Sequence, residues 1–466
     1  MERKLDRHLI LAIVATGLLS FCGVVIETAS NITFPVLMEE FNVNIATVQW
    51  MTTGYLLTAA IIMPLSAYLK KNFSSKKLFI IAVLLFLLGL VIDSTTTTFA
   101  LLVVGRVIQG VGTGIALPLM FNIILERAPI NKIGLLMGVG TMITAIAPAL
   151  GPTLGGLIVN SLGWRYIFIS IIPIIVVSFI IGSVFIKSEP NSAQHTKIDI
   201  SGFISIAITF IGFILAFSNL STVQEKFLNF ALPFVIGIVA LIYFIKHSLR
   251  TTDPLINIKL FNITKFTQGI SAYFVFQIVA LGLSFILPNY IQLVNGSTAT
   301  VAGFLVLPGA ALGAVLTPIG GRLLDNFGAR RPIMVGAFLQ IIGTLLFTIF
   351  ASSLTSIEII FFYLIVMMGM GLIMGNIMTH SLALLNREDN ADGNGLFNMI
   401  LQFSGAVGTS IVSAIMQVGQ QISTAETTAG KTSMGAQIAL TFLFFIVIVG
   451  SVLLYHATKK ENISKE

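Results

Sequence analysis

Two charged residues stand where charge is expensive. Glu27 lies deep in an apolar run that begins near residue 9, and Arg106 lies seven residues into another that begins at Phe99. An ionised side chain at bilayer depth costs about 3 kcal/mol unless it is paired or faces water, so it marks an ion or substrate path by default. Glu27 is seven residues short of Phe34, about 10 Å along a helix. If the two runs meet the same membrane face at Phe34 and Phe99, the acid and the arginine share one depth. Burial and a neighbouring cation act on a carboxylate's proton affinity in opposite senses. A rearrangement that separates such a pair, or dries it, therefore switches that affinity, which is what a proton-coupled machine needs. A structural Glu27–Arg106 ion pair is the alternative. Glu27 reads as the only carboxylate well inside an apolar run and away from its ends.

Other residues supply geometry. The stretch from Arg106 to Gly114 has the form R-x-x-Q-G, and Gly110 and Gly114 fall on one helix face, where they allow close packing. Gly138, Ala147, Pro148 and Gly151-Pro152-Thr153-Leu154-Gly155-Gly156 lie in the following apolar run. There the prolines free backbone carbonyls and the small residues admit a neighbouring helix. A merely kinked packing helix is the alternative. Gly321-Arg322-Leu323-Leu324-Asp325-Asn326-Phe327-Gly328-Ala329-Arg330-Arg331 is a tight turn with one carboxylate and a basic cluster. An earlier stretch, Ala67 to Lys77, is its degraded counterpart, with Ala67 at the first glycine and Lys71 at the aspartate. Asn31, Gln49, Tyr55, Gln277, Asn376, Asn398 and Gln402 are polar groups within apolar runs, as is His380. They line a substrate cavity or bond helix to helix.

The elements that position these residues follow from composition. Hydrophobic residues make up 56% of the 466, and charged residues only 10%, against about 25% in soluble domains. The mean hydropathy is +0.98. The apolar residues come in runs of about 20, each enough to cross a bilayer as a helix. Fourteen such spans are predicted: 9–35, 46–69, 78–93, 99–125, 133–159, 165–186, 201–219, 228–246, 266–289, 299–323, 333–352, 357–383, 394–418 and 437–456. The apolar run at Met1–Val25 continues past Ala29 without a small-residue cleavage site, so it reads as a first span and not as a leader.

Fourteen spans put both termini on one side. All 26 basic residues then fall on that side except Arg165, Lys226 and Lys431, which face the other, and Arg106, which lies within a span. The positive-inside rule places both termini in the cytoplasm of a multi-pass plasma-membrane protein. The longest polar stretches, Lys187–Ile200 and His247–Lys265, bracket spans seven and eight. The chain divides accordingly into a six-helix bundle at 1–190, a two-helix insertion with its linkers at 191–260 and a second six-helix bundle at 261–466. The two related turns occupy equivalent places in the two sixes. Repeated halves with a site between them are a transporter architecture.

The motifs resemble those of one family. The Gly321–Arg331 turn resembles the loop motif of the major facilitator superfamily, which implies a conformational latch at Gly321, Asp325, Gly328 and Arg330. The R-x-x-Q-G run resembles that superfamily's proton-coupling motif, which implies the role for Arg106. Gly151, Pro152, Gly155 and Gly156 resemble the G-P-x-x-G-G pattern of its antiporters. Glu27-Thr28-Ala29-Ser30-Asn31-Ile32-Thr33-Phe34-Pro35 is similar to a D-x-T-x-x-N-x-x-x-P stretch of fourteen-span drug:proton antiporters, with the acid shifted by one residue as in the lincomycin-resistance-type branch. Val48–Leu56, Trp164–Phe168 and Leu287–Tyr290 fit the same group. The chain is thus identified as a member of the drug:proton antiporter-2 family. The resemblance implies the all-α major facilitator fold, two six-helix bundles plus two extra central helices, with span five meeting the small-residue stretch Pro308–Gly313 of span ten.

The expected function is proton-driven export of drugs or other amphipathic small molecules by alternating access. Export of an endogenous lipid, peptide or metabolite is the alternative, and a membrane receptor or scaffold is a third reading. No nucleophile–base pair, Walker A sequence or metal-ligand spacing occurs, so no catalytic group, cofactor or metal is expected. The net charge of +7 sits between spans and reads as membrane orientation, not nucleic-acid binding. The lone cysteine, Cys22, reads as a small core residue. The expected partners are a small amphipathic substrate, protons and the bilayer, and the chain is expected to act as a monomer.

Overall fold

A backbone in hydrocarbon must satisfy its own hydrogen bonds, and this chain does so with helices. The computed structural model describes residues 6–129, 133–187, 199–223, 226–252, 254–386 and 389–459, and no strand occurs among them. Fourteen long helices follow one another. They are α1 (Arg7–Asn31), α2 (Ile45–Leu65), α3 (Ser75–Thr95), α4 (Phe99–Arg127), α5 (Ile133–Leu162), α6 (Arg165–Phe185) and α7 (Ile200–Ser218). The rest are α8 (Phe227–Arg250), α9 (Thr264–Leu293), α10 (Ala299–Phe327), α11 (Arg330–Phe350), α12 (Ser356–Leu382), α13 (Asn390–Ile422) and α14 (Thr428–Thr458). Among the described residues thirteen are long and apolar enough to cross a membrane, and α5 runs 30 residues.

Several helices outrun the predicted spans, because polar caps extend them beyond the apolar run. Asp6 accepts from Leu9 N at the start of α1, Thr427 caps α14, and Thr355 with Glu358 forms a capping box on α12. Span one instead stops early. It ends at Asn31, and a short helix, Phe34–Glu40, restarts with Pro35 in its first turn, where a missing N–H costs nothing. The second span is a jointed run: Ile45–Val48, Trp50–Ile62 and a 3-10 turn through Pro64.

In the first half α1 packs on α4, α5 and α6, α2 packs on α4, and α3 packs on α4 and α6. In the second half α10 packs on α12, α11 on α12 and α14, and α9 on α12, α13 and α14. The halves meet chiefly through two pairs, α5 against α10 and α2 against α13. These are second and fifth helices exchanged, as an approximate two-fold relation between the halves requires.

The central pair α7 and α8 pack on each other. Helix α8 lies at the periphery, with Leu228, Val239 and Leu249 exposed, whereas α7 leans on the seam formed by α2 and α13. Its Phe210 stacks on Phe403 at 3.9 Å between ring centroids, because aromatic faces fill a groove that short side chains would leave open. Outside the membrane, Asp199 fastens the pair. It caps α7 through Gly202 N, contacts His247 Nε2 of α8 at 2.7 Å and accepts from Leu255 N. Burial alone would raise its pKa, but the Gly202 N–H, His247 and the Leu255 N–H together hold it below the ordinary carboxylate value.

Candidate functional site

The site begins with glycines. A Cβ on Gly89 of α3 would fall 2.6 Å from Gly105 O of α4, and one on Gly105 would land on Asp93 Oδ1. Their absence lets α3 and α4 close together and seats the Asp93 carboxylate against the α4 backbone. Gly110 and Gly114 do the same for α2. Cβ atoms there would lie 2.6 Å from Tyr55 O and 2.8 Å from Ile62 Cβ.

Arg106 projects into the space so formed and is fully buried. Its Nε donates to Met51 O at 3.1 Å and its Nη1 to Gln109 Oε1 at 2.6 Å. The guanidinium lies 4.4 Å from the Tyr55 ring centre, a cation–π contact, and Tyr55 Oη donates to Thr113. Gln109 Nε2 donates to Asp93 Oδ2 at 2.8 Å. The arginine thus reaches a carboxylate through an amide, and that carboxylate is Asp93.

Glu27 lies on α1 at 5% exposure. Among the described residues it makes no hydrogen bond and no ion pair within 4 Å, although Arg106 is near enough to act on it electrostatically. The residues on either side of it are packed hard. Cβ atoms on Gly151 and Gly155 of α5 would lie 2.9 Å from Val25 O and 2.8 Å from Ala29 O. The other face of α5 belongs to α10. A Cβ on Gly303 would lie 2.9 Å from Pro152 C, Thr153 Oγ1 donates to Gly303 O, and Thr300 Oγ1 donates to Gly156 O at 2.8 Å. One helix therefore joins the Glu27 helix to the second half by backbone contact.

Residues 16–409 match the sequence pattern of the Major Facilitator Superfamily. The chain belongs to the major facilitator superfamily. It is 33% identical over 410 residues to the lincomycin resistance protein LmrB of Listeria monocytogenes, a match covering 88% of this chain and 87% of that one. It is 32% identical over 445 residues to the protein of the same name from Bacillus subtilis, covering 93% of each. Its fold is similar to that of a bacterial homologue of the human lysosomal transporter Spinster, solved inward-facing and unoccupied, with a TM-score of 0.70, 14% identity and 98% of both chains covered. The molecule is therefore a multi-pass membrane transporter for a small molecule and not an enzyme.

Within this facilitator the remaining sequence-selected residues fall into three sets. Asn31 and Gln49 sit at the seam between the halves. Asn31 donates to Ser284 of α9 and accepts from Thr52; Gln49 accepts from Thr53 and reaches Ser218 at 3.4 Å; Thr53 pairs with Thr409 and Ser410 of α13. Asn376 and Asn398 donate to carbonyls of their own helices, at Leu372 and Asn394. Gln277 is half-buried, and Gln402 is buried with Nε2 unpartnered. The structure does not join these four to the charged cluster by hydrogen bonds.

The stretch read as a tight turn is mostly helix: α10 runs through Gly321 and Asp325 to Phe327, and only Gly328 and Ala329 separate it from α11. Asp325 is exposed, and a Cβ on Gly321 would meet nothing within 4 Å. Gly328 ends α10 at φ 77°, a conformation that favours glycine. Arg330 lies 5.0 Å from the Tyr455 ring centre and Arg331 5.9 Å from that of Phe327. In the counterpart stretch, Lys70 pairs with Glu126 at 2.8 Å, while the side chains of Ala67 and Lys71 lie outside the described residues, as does the burial of Gly138.

One expectation is sharpened and one needs correction. Helix α5 does meet α10, and its tight glycine contacts among the described residues lie at Ala299–Gly303. Gly309 and Gly313 instead pack on Tyr363 and Met367 of α12, because small residues on α10 serve its own bundle as well as the seam. And Glu27 is not the only deeply buried acid. Asp93 closes the third predicted span, where a charge reads as interfacial. In the structure α3 continues to Thr95 and Asp93 is fully buried. The one available signal was Gln109, whose amide suits a partner on each side.

Proposed function

We propose that this chain is a proton-coupled antiporter that exports drugs or similar amphipathic molecules across the plasma membrane by alternating access. The reading rests on one observation above the others. Glu27, buried with no hydrogen-bond partner among the described residues, adjoins the α5 glycines whose opposite face carries the contact between the halves. A change of charge on Glu27 acts on α1, and α1 cannot shift without moving α5 against α10. Proton binding and rearrangement of the halves are then one equilibrium.

The basic residues that cluster beside the termini support a cytoplasmic location for both ends. The seam contacts Asn31–Ser284 and Thr300–Gly156 then lie in the outer half, which corresponds to a conformation open to the cytoplasm. Domain limits at 1–190, 191–260 and 261–466 accompany this reading, with one chain as the working unit. Inward proton movement supplies about 2.3 kcal/mol per 100 mV of membrane potential, plus the pH term.

Lincomycin, from the names of the relatives, and ethidium, a lipophilic cation, are the first probes. Purified chain in proteoliposomes is expected to move at least one of them against its gradient when an opposing pH gradient is imposed. In Glu27→Gln, pH-driven movement should fall to background while probe binding is retained. Normal pH-driven transport by the variant would eliminate Glu27 as the coupling group. Unchanged drug susceptibility in cells lacking the gene would point to an endogenous substrate instead.

A further inference from the structure

Asp93 is left unused by this reading, and its surroundings do not look like those of a structural ion. The carboxylate is fully buried on α3. Oδ2 accepts from Gln109 Nε2 at 2.8 Å, and Oδ1 is buried with no hydrogen-bond partner among the described residues. Arg106 Nη2 is likewise buried and unpartnered. A buried ion pair stabilises a fold only when its geometry is good and its remaining lone pairs and protons are satisfied. Here an acceptor and a donor of opposite charge are both left over, with an uncharged amide between them.

That arrangement suits a group that changes protonation. The amide does not titrate. If a proton is added at Oδ1, Oδ2 still accepts from Gln109, so the same pocket holds both forms. The charged group facing it is Arg106 from α4, on which Tyr55 from α2 and Glu27 from α1 also act. Arg165 of α6 lies past the end of α3, where it donates to Thr96 O and pairs with Glu40.

We propose that Asp93 is a second proton-carrying carboxylate of this transporter, sharing Arg106 with Glu27. In each cycle an O–H bond forms on Asp93 as a proton enters and breaks as it leaves, and no other bond changes. The guanidinium compensates whichever acid is ionised, so the two titrate as a coupled pair. Asp93 is two residues from the end of α3, nearer a membrane face than the middle of the bundle, which places it on a route between that face and Arg106. The inference rests on the proton-coupled reading above.

The test uses the full chain in proteoliposomes with lincomycin and ethidium. In Asp93→Asn, transport driven by a pH gradient should fall on the order of 10²-fold. Gradient-independent exchange of preloaded probe should persist, showing that the variant folds and cycles. Loss of exchange together with coupling would make Asp93 structural and overturn the proposal, and so would full coupling in the variant. Infrared titration of the wild-type protein gives a readout that does not depend on Asp93→Asn folding. Two buried carboxyl C=O bands should change with pH, one of them surviving in Glu27→Gln. A single band that vanishes in Glu27→Gln would overturn the second carrier. A wild-type chain that moves neither probe under a pH gradient would overturn the proton-driven reading itself, and this inference with it.

Discussion

The third and fourth helices of each half solve one packing problem with opposite chemistry. In the first half α3 and α4 close through Gly89 and Gly105 and enclose Asp93, Gln109 and Arg106. In the second half α11 and α12 close through Gly336 and Gly369, where added Cβ atoms would lie 2.8 and 2.6 Å from the facing glycine carbonyls. They enclose one uncharged amide, Gln340, which donates to Val366 O at 2.9 Å while its Oε1 finds no partner among the described residues. The second pair shows that close approach at this position does not require charge. Glycine–glycine contact and one amide hydrogen bond suffice. A buried arginine and two buried acids in the first half are therefore not explained by packing, since ions cost far more to bury than a neutral amide. The turns show the reverse asymmetry: the second half keeps its carboxylate, Asp325, and the first carries Lys71.

The largest effect that could break this comparison is expected at Arg106. Arg106→Leu leaves two buried carboxylates without their cation and should cost about 3 to 5 kcal/mol, read as a lowered melting temperature in detergent, with loss of pH-driven transport. Gln340→Leu, at the matching place, should cost about 1 kcal/mol and leave transport intact. Equal costs would mean that the charges serve packing after all.

A smaller effect is expected where the halves touch. Gly156→Ala drives a Cβ into the Ala299 carbonyl and should cost about 1 to 3 kcal/mol, with slowed transport and normal insertion. Gly321→Ala meets open space, so its melting temperature should match wild type. A tolerant Gly156 would show that the α5–α10 contact is not tight during the cycle.

The smallest effect concerns the turns. Asp325→Asn should slow transport severalfold without changing the amount of protein in the membrane, because a carboxylate is lost from a turn that reorganises between states. Lys71→Gln should leave the rate unchanged. Equal rates in both variants would remove the latch role from either turn.

Much of this was legible in one dimension. Each span had to be apolar over about 20 residues whatever its neighbours were, so the fourteen helices could be counted segment by segment. The G-P-x-x-G-G and R-x-x-Q-G runs were visible for the same reason: small residues and an arginine inside an apolar run stand out against their own segment. Asp93 did not stand out. It closes a predicted span, and at a span end a carboxylate looks solvated and cheap. The seam position of α7 was also invisible, because a stripe such as the one carrying Phe210 reads the same against lipid as against protein.

The sequence by itself determined which segments are long and apolar enough to cross a bilayer, which helices carry charge and which are smooth enough to approach another. The bilayer imposes those requirements on every segment independently. Only the tertiary structure decided that Arg106 reaches Asp93 through Gln109, that α5 binds α1 with one face and α10 with the other, and that α10 divides its small residues between two partners. Those outcomes depend on where two helices come closest, and closest approach is a property of the pair, set by glycines on both sides at once.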